Sequence, residues 1–541
     1  MQTAAVQPAS THGSVTSRRL TLLAVIVVLA LSAGVRFYHL SRPHDYIFDE
    51  IYYGKDARTI LRGKIGPQGF FKWEPGNEVS WPHPEMGKFA IAAGIVTFGD
   101  TPFGRRFPAA LAGLVLLACV YPLARRLGLS RGWSLAALVL AAADTLGIAQ
   151  SRIATLDVFV GVWTVLCILC ALRYVQDGHR RRWLAAAGLA GGMALGTKWS
   201  GALVCVAALA IIFLWRKRGE QDEDGLLSHF ADGVRATLLP LLFLVLVPMA
   251  IYVASYADYF AHGHPLSQWW ELQRQMVQFN FHLHATHTYA SAAPTWIFDY
   301  RPVWYYFKGT VLYHGIVAIG NPILWWSSVL ALVTLPIAAI ATRRRALVVT
   351  ALVVIVLYFP WFATSRTSFL YYMTPVAPFL AILVASGLSL LAGDRLDPRP
   401  SFARREAADS AREAGDSLTG PAPEIDWLGL LLDFFTFVIG ALGTALLWHP
   451  LAESARALFW TAPRRLAPAG GVVGVAIGCA LALAALAVSW FVPSARRVWP
   501  RAAWLYVGVV VGICIVMLPV VIDLGITPAH YYRLMWFARW I

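Results

Sequence analysis

The sequence predicts an all-α polytopic membrane protein, and three observations carry that prediction. Of its 541 residues 58% are hydrophobic and only 14% charged, the mean hydropathy is +0.58, and the apolar residues recur in long runs. Runs of about 17 to 23 residues match the hydrocarbon thickness of a bilayer at helical rise. Backbone groups in lipid must find partners within their own segment, which favours helices. A net charge of +15 would suit nucleic acid, but the cations fall in short clusters at the ends of apolar runs. That is the pattern of cytoplasmic loops, so the bilayer is the expected partner and nucleic acid is not. All six cysteines lie inside apolar runs, and the Cys167–Cys170 pair has no second CxxC to complete a metal site. They read as small packing residues.

Residues 1–19 form a polar tail ending at Ser17-Arg18-Arg19, expected in the cytoplasm. Leu20 to Val35 is the first span, and no small-residue cleavage site precedes Arg36-Phe37-Tyr38, so it is read as retained. Residues 36–106 form an external loop rich in aromatics, Pro and Gly, interrupted by Phe89 to Phe98. That segment is too short to span and predicts an interfacial helix. Spans follow at Phe107 to Ala124, Trp133 to Ala149, Val158 to Leu172, Trp183 to Leu195, Ala202 to Trp215 and Leu238 to Tyr256. Cation-rich turns at Arg125 to Arg131, Arg173 to Arg182 and Arg216-Lys217-Arg218 alternate with poorer ones at Ser151-Arg152 and Thr197-Lys198-Trp199. The alternation agrees with an N-terminus inside.

A second large external loop, residues 257–321, is dense in Trp, Tyr, His and Gln and should roof the bundle together with the first. Spans at Pro322 to Ala341, Leu347 to Phe362 and Tyr371 to Ala392 complete a core over 20–392. Residues 393–426 are mixed in charge and rich in Pro, Ala and Ser, the composition of a cytoplasmic linker. Within 427–541 three more runs, Trp427 to Trp448, Gly471 to Phe491 and Ala503 to Ile522, bring the total to thirteen and place the C-terminus outside. Arg464-Arg465 then sits on an external turn, against the charge rule.

The candidate chemistry centres on Asp49 and Glu50, adjacent carboxylates among aromatics just beyond the first span. An acidic pair in a loop is ordinarily just solvated. Here Arg36, Lys88, Arg105 and Arg106 flank the same loop, and carboxylates with cations at a membrane face suit an anionic lipid headgroup. His282, His284 and His287 lack a nearby acidic ligand, so roof packing or an acceptor groove is preferred to a metal. Asp222-Glu223-Asp224 mimics a DxD metal motif but lies in a charged cytoplasmic turn and reads as a solvated run. Gly192 and Gly196 predict close helix packing.

Phe48-Asp49-Glu50-Ile51-Tyr52-Tyr53-Gly54-Lys55 together with His83-Pro84-Glu85-Met86-Gly87-Lys88 resembles the protein O-mannosyltransferase family. Phe103-Gly104-Arg105-Arg106-Phe107-Pro108, Ser151-Arg152-Ile153, Lys198-Trp199, Arg301 to Tyr306, Gly320-Asn321-Pro322, Tyr371 to Pro375 and Arg533 to Ile541 fit the same family. Two departures stand out: His287-Thr288-Tyr289 where bacterial members usually read His-Pro-Tyr, and a pair of spans beyond the usual eleven. No insertion could hold the sugar-binding MIR domain of eukaryotic members, which points to a bacterial form.

The resemblance implies a GT-C fold with about 11 to 13 transmembrane helices and two large external loops carrying interfacial helices. It implies transfer of mannose from polyprenyl-phosphate mannose to Ser or Thr hydroxyls of exported polypeptides, with inversion, at the external face of the cell membrane and beside the Sec translocon. Inversion in one step needs a base and neutralisation of the departing phosphate. Asp49 is the expected base, with Glu50 positioning the acceptor or a cation. Arg36 and Arg106 match positions implicated around the phosphate, with His83, Lys88, Arg152 and Arg366 as further donor-binding candidates. His287, Tyr289 and Trp304 are assigned to the acceptor groove or the loop roof. Arginine forks can hold a lipid monophosphate, so neither cofactor nor metal is expected. Two alternatives stay open: a related transferase glycosylating a lipid or polysaccharide, and a secondary transporter, for which internal repeats would be the signal.

Overall fold

The computed structural model describes residues 12–61, 81–215, 237–282, 285–342, 345–393, 435–442, 444, 495–535 and 538–541. Helix α1 (His12–Phe37) is followed by α2 (Glu50–Leu61) and α3 (Met86–Phe98), then by α4 (Pro102–Arg126). Thr101 starts α4 by accepting the Gly104 N–H, with Pro102 in the first turn where its missing donor costs nothing. Next come α5 (Arg131–Ala142), α6 (Thr145–Gln150), α7 (Asp157–Gln176), α8 (Arg181–Leu195) and α9 (Ala202–Trp215). Helix α10 (Thr237–Ala254) contains a π-helical turn over Leu242–Leu246. Six of the described helices are long and apolar enough to cross a membrane, and shorter apolar helices pack among them.

The polar segment after α10 carries α11 (Ala257–Ala261), the amphipathic α12 (Leu266–His282) and an antiparallel hairpin of β1 (Val303–Gly309) and β2 (Tyr313–Ala318). Helices α13 (Pro322–Thr342), α14 (Arg345–Tyr358), α15 (Ala377–Leu391), α16 (Ala495–Val521) and α17 (Pro528–Leu534) follow. The linker, the DxD-like run, Arg216-Lys217-Arg218, Cys479, the run Gly471 to Phe491 and most of Trp427 to Trp448 lie outside the described residues.

Two expected spans are built differently. Trp133 to Ala149 is not one helix but α5 and α6, broken where Asp144 turns its carboxylate onto the Gly147 N–H, the Asn321 N–H and the Trp325 indole. The apolar run Tyr371 to Ala392 yields a helix only from Ala377, because Leu370–Met373 forms a 3₁₀ turn and Pro375 precedes the helix. That difference leaves Tyr371 and Tyr372 outside α15, at the end of the bundle where the site lies. The glycines are close contacts to two different neighbours: a Cβ on Gly192 would lie 2.5 Å from Ile251, and one on Gly196 2.9 Å from Met86.

Long-range hydrogen bonds show which connections share an end. Arg152 reaches the carbonyls of Val35, Arg36, Tyr38 and Ile522, Met86 N–H bonds Gly196, and Tyr313 pairs with Ile526. The segments 38–49, 81–85, 151–156, 196–201, 285–321, 364–376, 522–535 and 538–541 therefore gather at one end. The Arg126–Asp177 ion pair, at 2.5 Å, marks the opposite end, where Arg125, Arg131 and Arg180 to Arg182 also lie.

Candidate active site

Asp49 and Glu50 stand at the start of α2, where the Asp49 carbonyl accepts the Tyr52 and Tyr53 N–H groups at 3.0 and 3.1 Å. The helix start sends the two carboxylates apart, to unlike surroundings. Glu50 is fully buried, and its two oxygens accept from Arg106 Nε at 2.7 Å, Arg106 Nη2 at 2.8 Å, Ile47 N–H at 3.2 Å and Ala154 N–H at 2.9 Å. Every lone-pair direction of that carboxylate is occupied, so Glu50 braces the loop and is not placed to handle a substrate.

Arg106 mirrors it. Besides Glu50, its fork donates to the carbonyls of Leu40 at 3.1 Å, Pro43 at 2.8 Å and Asp45 at 3.2 Å, which engages all five N–H groups. Arg106, expected near the donor phosphate, here staples the 38–49 loop. Lys88 is likewise committed, with Nζ 2.9 Å from Glu85 and 3.4 Å from Asp56, all three buried. Burial pushes the Glu85 carboxyl up to about 7 despite that ammonium. Arg152 caps the end of α1 through its carbonyls, and Arg36 donates to Ser151 Oγ at 3.2 Å and the Ser32 carbonyl at 3.4 Å. None of these four cations is placed at Asp49.

What surrounds Asp49 comes from later in the chain. The Tyr371 hydroxyl donates to its Oδ2 at 3.4 Å, and Phe48, held at a positive φ of 45°, packs its ring against Tyr305 and Tyr371 with centroids 4.7 and 5.6 Å away. A bulky residue at positive φ is strained and persists only where its surroundings over-determine it. Burial raises the Asp49 carboxyl from 3.8 to about 7, against the opposing pull of Lys198 and with a further push from Asp157. Lys198 bonds Asp157 at 2.8 Å and lies 4.2 Å from the centre of the Tyr372 ring. Asp157 opens α7, where the helix N-terminus favours a carboxylate.

His83 joins this group with its imidazole held neutral, pushed well below 6.5 by burial and then by Lys198, Arg366 and Lys88. Arg366 is half-buried and donates to Asn280 of α12, which in turn donates to the Pro82 carbonyl. A small cleft is lined by Asp157, Ser200 and Tyr372 together with Val160, Leu203, Leu357 and Val376. Asp49, Lys198, His83 and Arg366 thus gather at one end of the bundle, and the ion-pair partner of Lys198, Asp157, also lines the cleft.

The remaining candidates belong to the roof. His287 is exposed, packs edge-on against Phe369 at 5.0 Å and accepts the Tyr289 N–H at 3.2 Å. Tyr289 lies beneath the Arg301 guanidinium, 5.6 Å away. Trp304 is buried and donates to the Trp540 carbonyl at 2.8 Å, so it anchors the outer segments instead of lining an open groove. Lys198, Asp157, Tyr305 and Tyr371 were missed as site residues, although three of them fall within the motifs quoted above. For Lys198 the signal was a cation at a turn that charge alternation already placed on the external side.

Residues 81–264 match the family model described as dolichyl-phosphate-mannose-protein mannosyltransferase. Residues 265–406 match the C-terminal four TMM region of protein-O-mannosyltransferase. The polyprenol-phosphate-mannose--protein mannosyltransferase of Mycolicibacterium smegmatis is 27% identical over 432 residues, covering 68% of this chain and 81% of the relative. That of Mycobacterium tuberculosis is 28% identical over 435 residues, covering 68% and 80%. The solved S. cerevisiae protein O-mannosyltransferase complex bound to the sugar donor superposes with a TM-score of 0.58 at 14% identity, over 72% of this chain and 88% of that one. At that identity the likeness shows a shared fold.

Proposed function

Because this chain belongs to the dolichyl-phosphate-mannose-protein mannosyltransferase family, we propose that it carries out protein O-mannosylation with Asp49 as base and Lys198 and Arg366 facing the donor phosphate. The observation that carries the assignment is the gathering of the Asp49 carboxylate and those cations at one end of the bundle, beside a cleft that Asp157, the ion-pair partner of Lys198, lines. In this reading the polyprenyl chain of polyprenyl-phosphate mannose enters the cleft and its phosphate stops beside Lys198. An acceptor Ser or Thr hydroxyl gives its proton to Asp49 as its oxygen bonds the anomeric carbon. The bond from that carbon to the phosphate oxygen breaks, and polyprenyl phosphate leaves with the charge met by Lys198 and Arg366. Neutral His83 supplies a hydrogen bond without competing for charge. Two cations suffice for a monophosphate, so the reading needs no metal.

The cation-rich end defined by Arg125, Arg126, Arg131 and Arg180 to Arg182 is assigned to the cytoplasm. The site then faces outward, where exported polypeptides emerge from the Sec translocon. Purified protein incubated with radiolabelled polyprenyl-phosphate mannose and a Ser/Thr/Pro-rich peptide tests the whole reading. Label is expected on the peptide and unchanged by EDTA. Turnover of the lipid without labelled peptide would move the acceptor to a glycolipid, and loss of label with EDTA would overturn the metal-free scheme.

The pH profile tests the electrostatics. A base with its carboxyl at about 7 should give kcat/KM an acid limb near that pH, with transfer falling below it. Lys198 holds the Asp49 carboxyl down and Asp157 pushes it up, so Lys198→Met should move the limb to higher pH and Asp157→Asn to lower pH. Shifts of the same sign would show that the limb belongs to another group.

A further inference from the structure

Strand β1 changes register where it passes the site. Trp304 pairs with Val317 and Tyr306 with Ile316, so Tyr305 is the extra residue of a β-bulge. A bulge re-aims a side chain that the regular alternation of a strand would place elsewhere. Here the Tyr305 ring packs 4.7 Å from Phe48 and 5.9 Å from Tyr371, the two aromatics that border Asp49, and its hydroxyl accepts from Gln150 Nε2 at 2.9 Å.

The preceding residue faces a different neighbour. Trp304 donates its indole N–H to the Trp540 carbonyl at 2.8 Å, and Trp540 donates its own to the Asp299 carbonyl at 2.6 Å. Asp299 has a left-handed backbone at φ 52°, and its Oδ1 accepts the Gly320 N–H at 2.7 Å just beyond β2. Arg301 adds a bond to the Arg539 carbonyl at 2.7 Å, and the Trp540 side chain is almost wholly enclosed. The segment around Trp540 thus holds the β1 side of the hairpin at Asp299, Arg301 and Trp304, and Asp299 carries the tie to Gly320 beyond β2. It does so one residue away from the bulge.

We propose that Trp540 is a latch for the hairpin, and that Trp540 and Tyr305 act as positioning residues which set the place of the Asp49 carboxylate through Phe48 and Tyr371. The proposal rests on the assignment of Asp49 as base. Neither residue touches the reacting atoms. Loosening the latch lets the bulge relax toward a regular register, withdraws the Tyr305 ring and leaves the strained Phe48 turn without its support.

The test is a double-mutant cycle on the full chain. Trp540→Ala and Tyr305→Ala are each expected to lower kcat by about 10- to 100-fold with KM for the donor lipid unchanged. The double variant should be no worse than Tyr305→Ala alone, since one residue acts through the other. Trp540→Phe, which keeps the bulk and removes only the N–H, should show a smaller loss in a protein that melts like wild type. Multiplying losses, or losses that track the folded fraction in both Trp540 variants, would overturn the latch. Placing 3-fluorotyrosine at position 305 gives a readout free of activity: its ¹⁹F resonance should shift in Trp540→Ala, and an unchanged resonance refutes the coupling. If the wild type transfers no mannose at all, the functional reading fails, and the resonance still decides the latch.

Discussion

Asp49→Asn is expected to lower kcat by about 10²- to 10⁴-fold while leaving the protein folded, because an amide can accept the Tyr371 hydroxyl but cannot take a proton. The stability comparison sharpens the expectation. Burial raises the Asp49 carboxyl from 3.8 to about 7, so the folded protein holds a proton that the unfolded chain has already released across that interval. The wild type therefore loses stability as pH rises from about 4 to about 7, and at pH 8 it carries an ionised, half-buried carboxylate. Asparagine has no such term. The variant should melt at or above the wild-type temperature at pH 8, and the two should coincide near pH 3.5, below both values. An inactive variant that melted lower at pH 8 would mean that Asp49 supports the structure. A fully active one would end its role as base.

The fold could be read from the sequence because one physical rule, the exclusion of unpaired polar groups from lipid, acts on every span. The runs at Val158 to Leu172 and Ala202 to Trp215 reappear as α7 and α9 with small changes at the ends. The rule misleads where a span contains a polar residue that finds internal partners. Asp144 is tolerated because the Gly147 and Asn321 N–H groups and the Trp325 indole meet it, and nothing in the local sequence announces Asn321 or Trp325. The candidate carboxylates stand together in the local sequence, but the partners of the candidate cations do not. Sequence shows Arg106 and Lys88 as charges near a loop; it does not show that they pair with Glu50 and with Asp56 and Glu85. Lys198, which does face Asp49, stands far along the chain. Its role depends on the turn between α8 and α9 closing over α7. The hairpin was missed altogether, since Val303 to Ala318 alternates too weakly in an aromatic loop to separate strand from coil.

The commitment of Arg106 leads to the second large effect. Arg106→Ala would leave Glu50 buried and without its counter-ion, a change that typically costs about 3–5 kcal/mol. It would also strip donors from the Leu40, Pro43 and Asp45 carbonyls, so the loop that presents Asp49 should lose its shape. A large fall in melting temperature with loss of transfer is expected. Arg106→Lys separates this from a phosphate-binding role. Lysine keeps the charge but offers three donors in place of five, so at least two of the staple's bonds go unmade, at roughly 1–3 kcal/mol for each buried acceptor left unmatched. The lysine variant should therefore be destabilised nearly as clearly as the alanine one, and Glu50→Gln should fall with them, since its amide turns an acceptor into a donor facing Arg106. Had Arg106 held the donor phosphate, Arg106→Lys would melt normally and show only a raised KM for the lipid. Thermal unfolding in detergent beside donor titrations distinguishes the two, and a stable, weakly binding Arg106→Lys would return that residue to the phosphate.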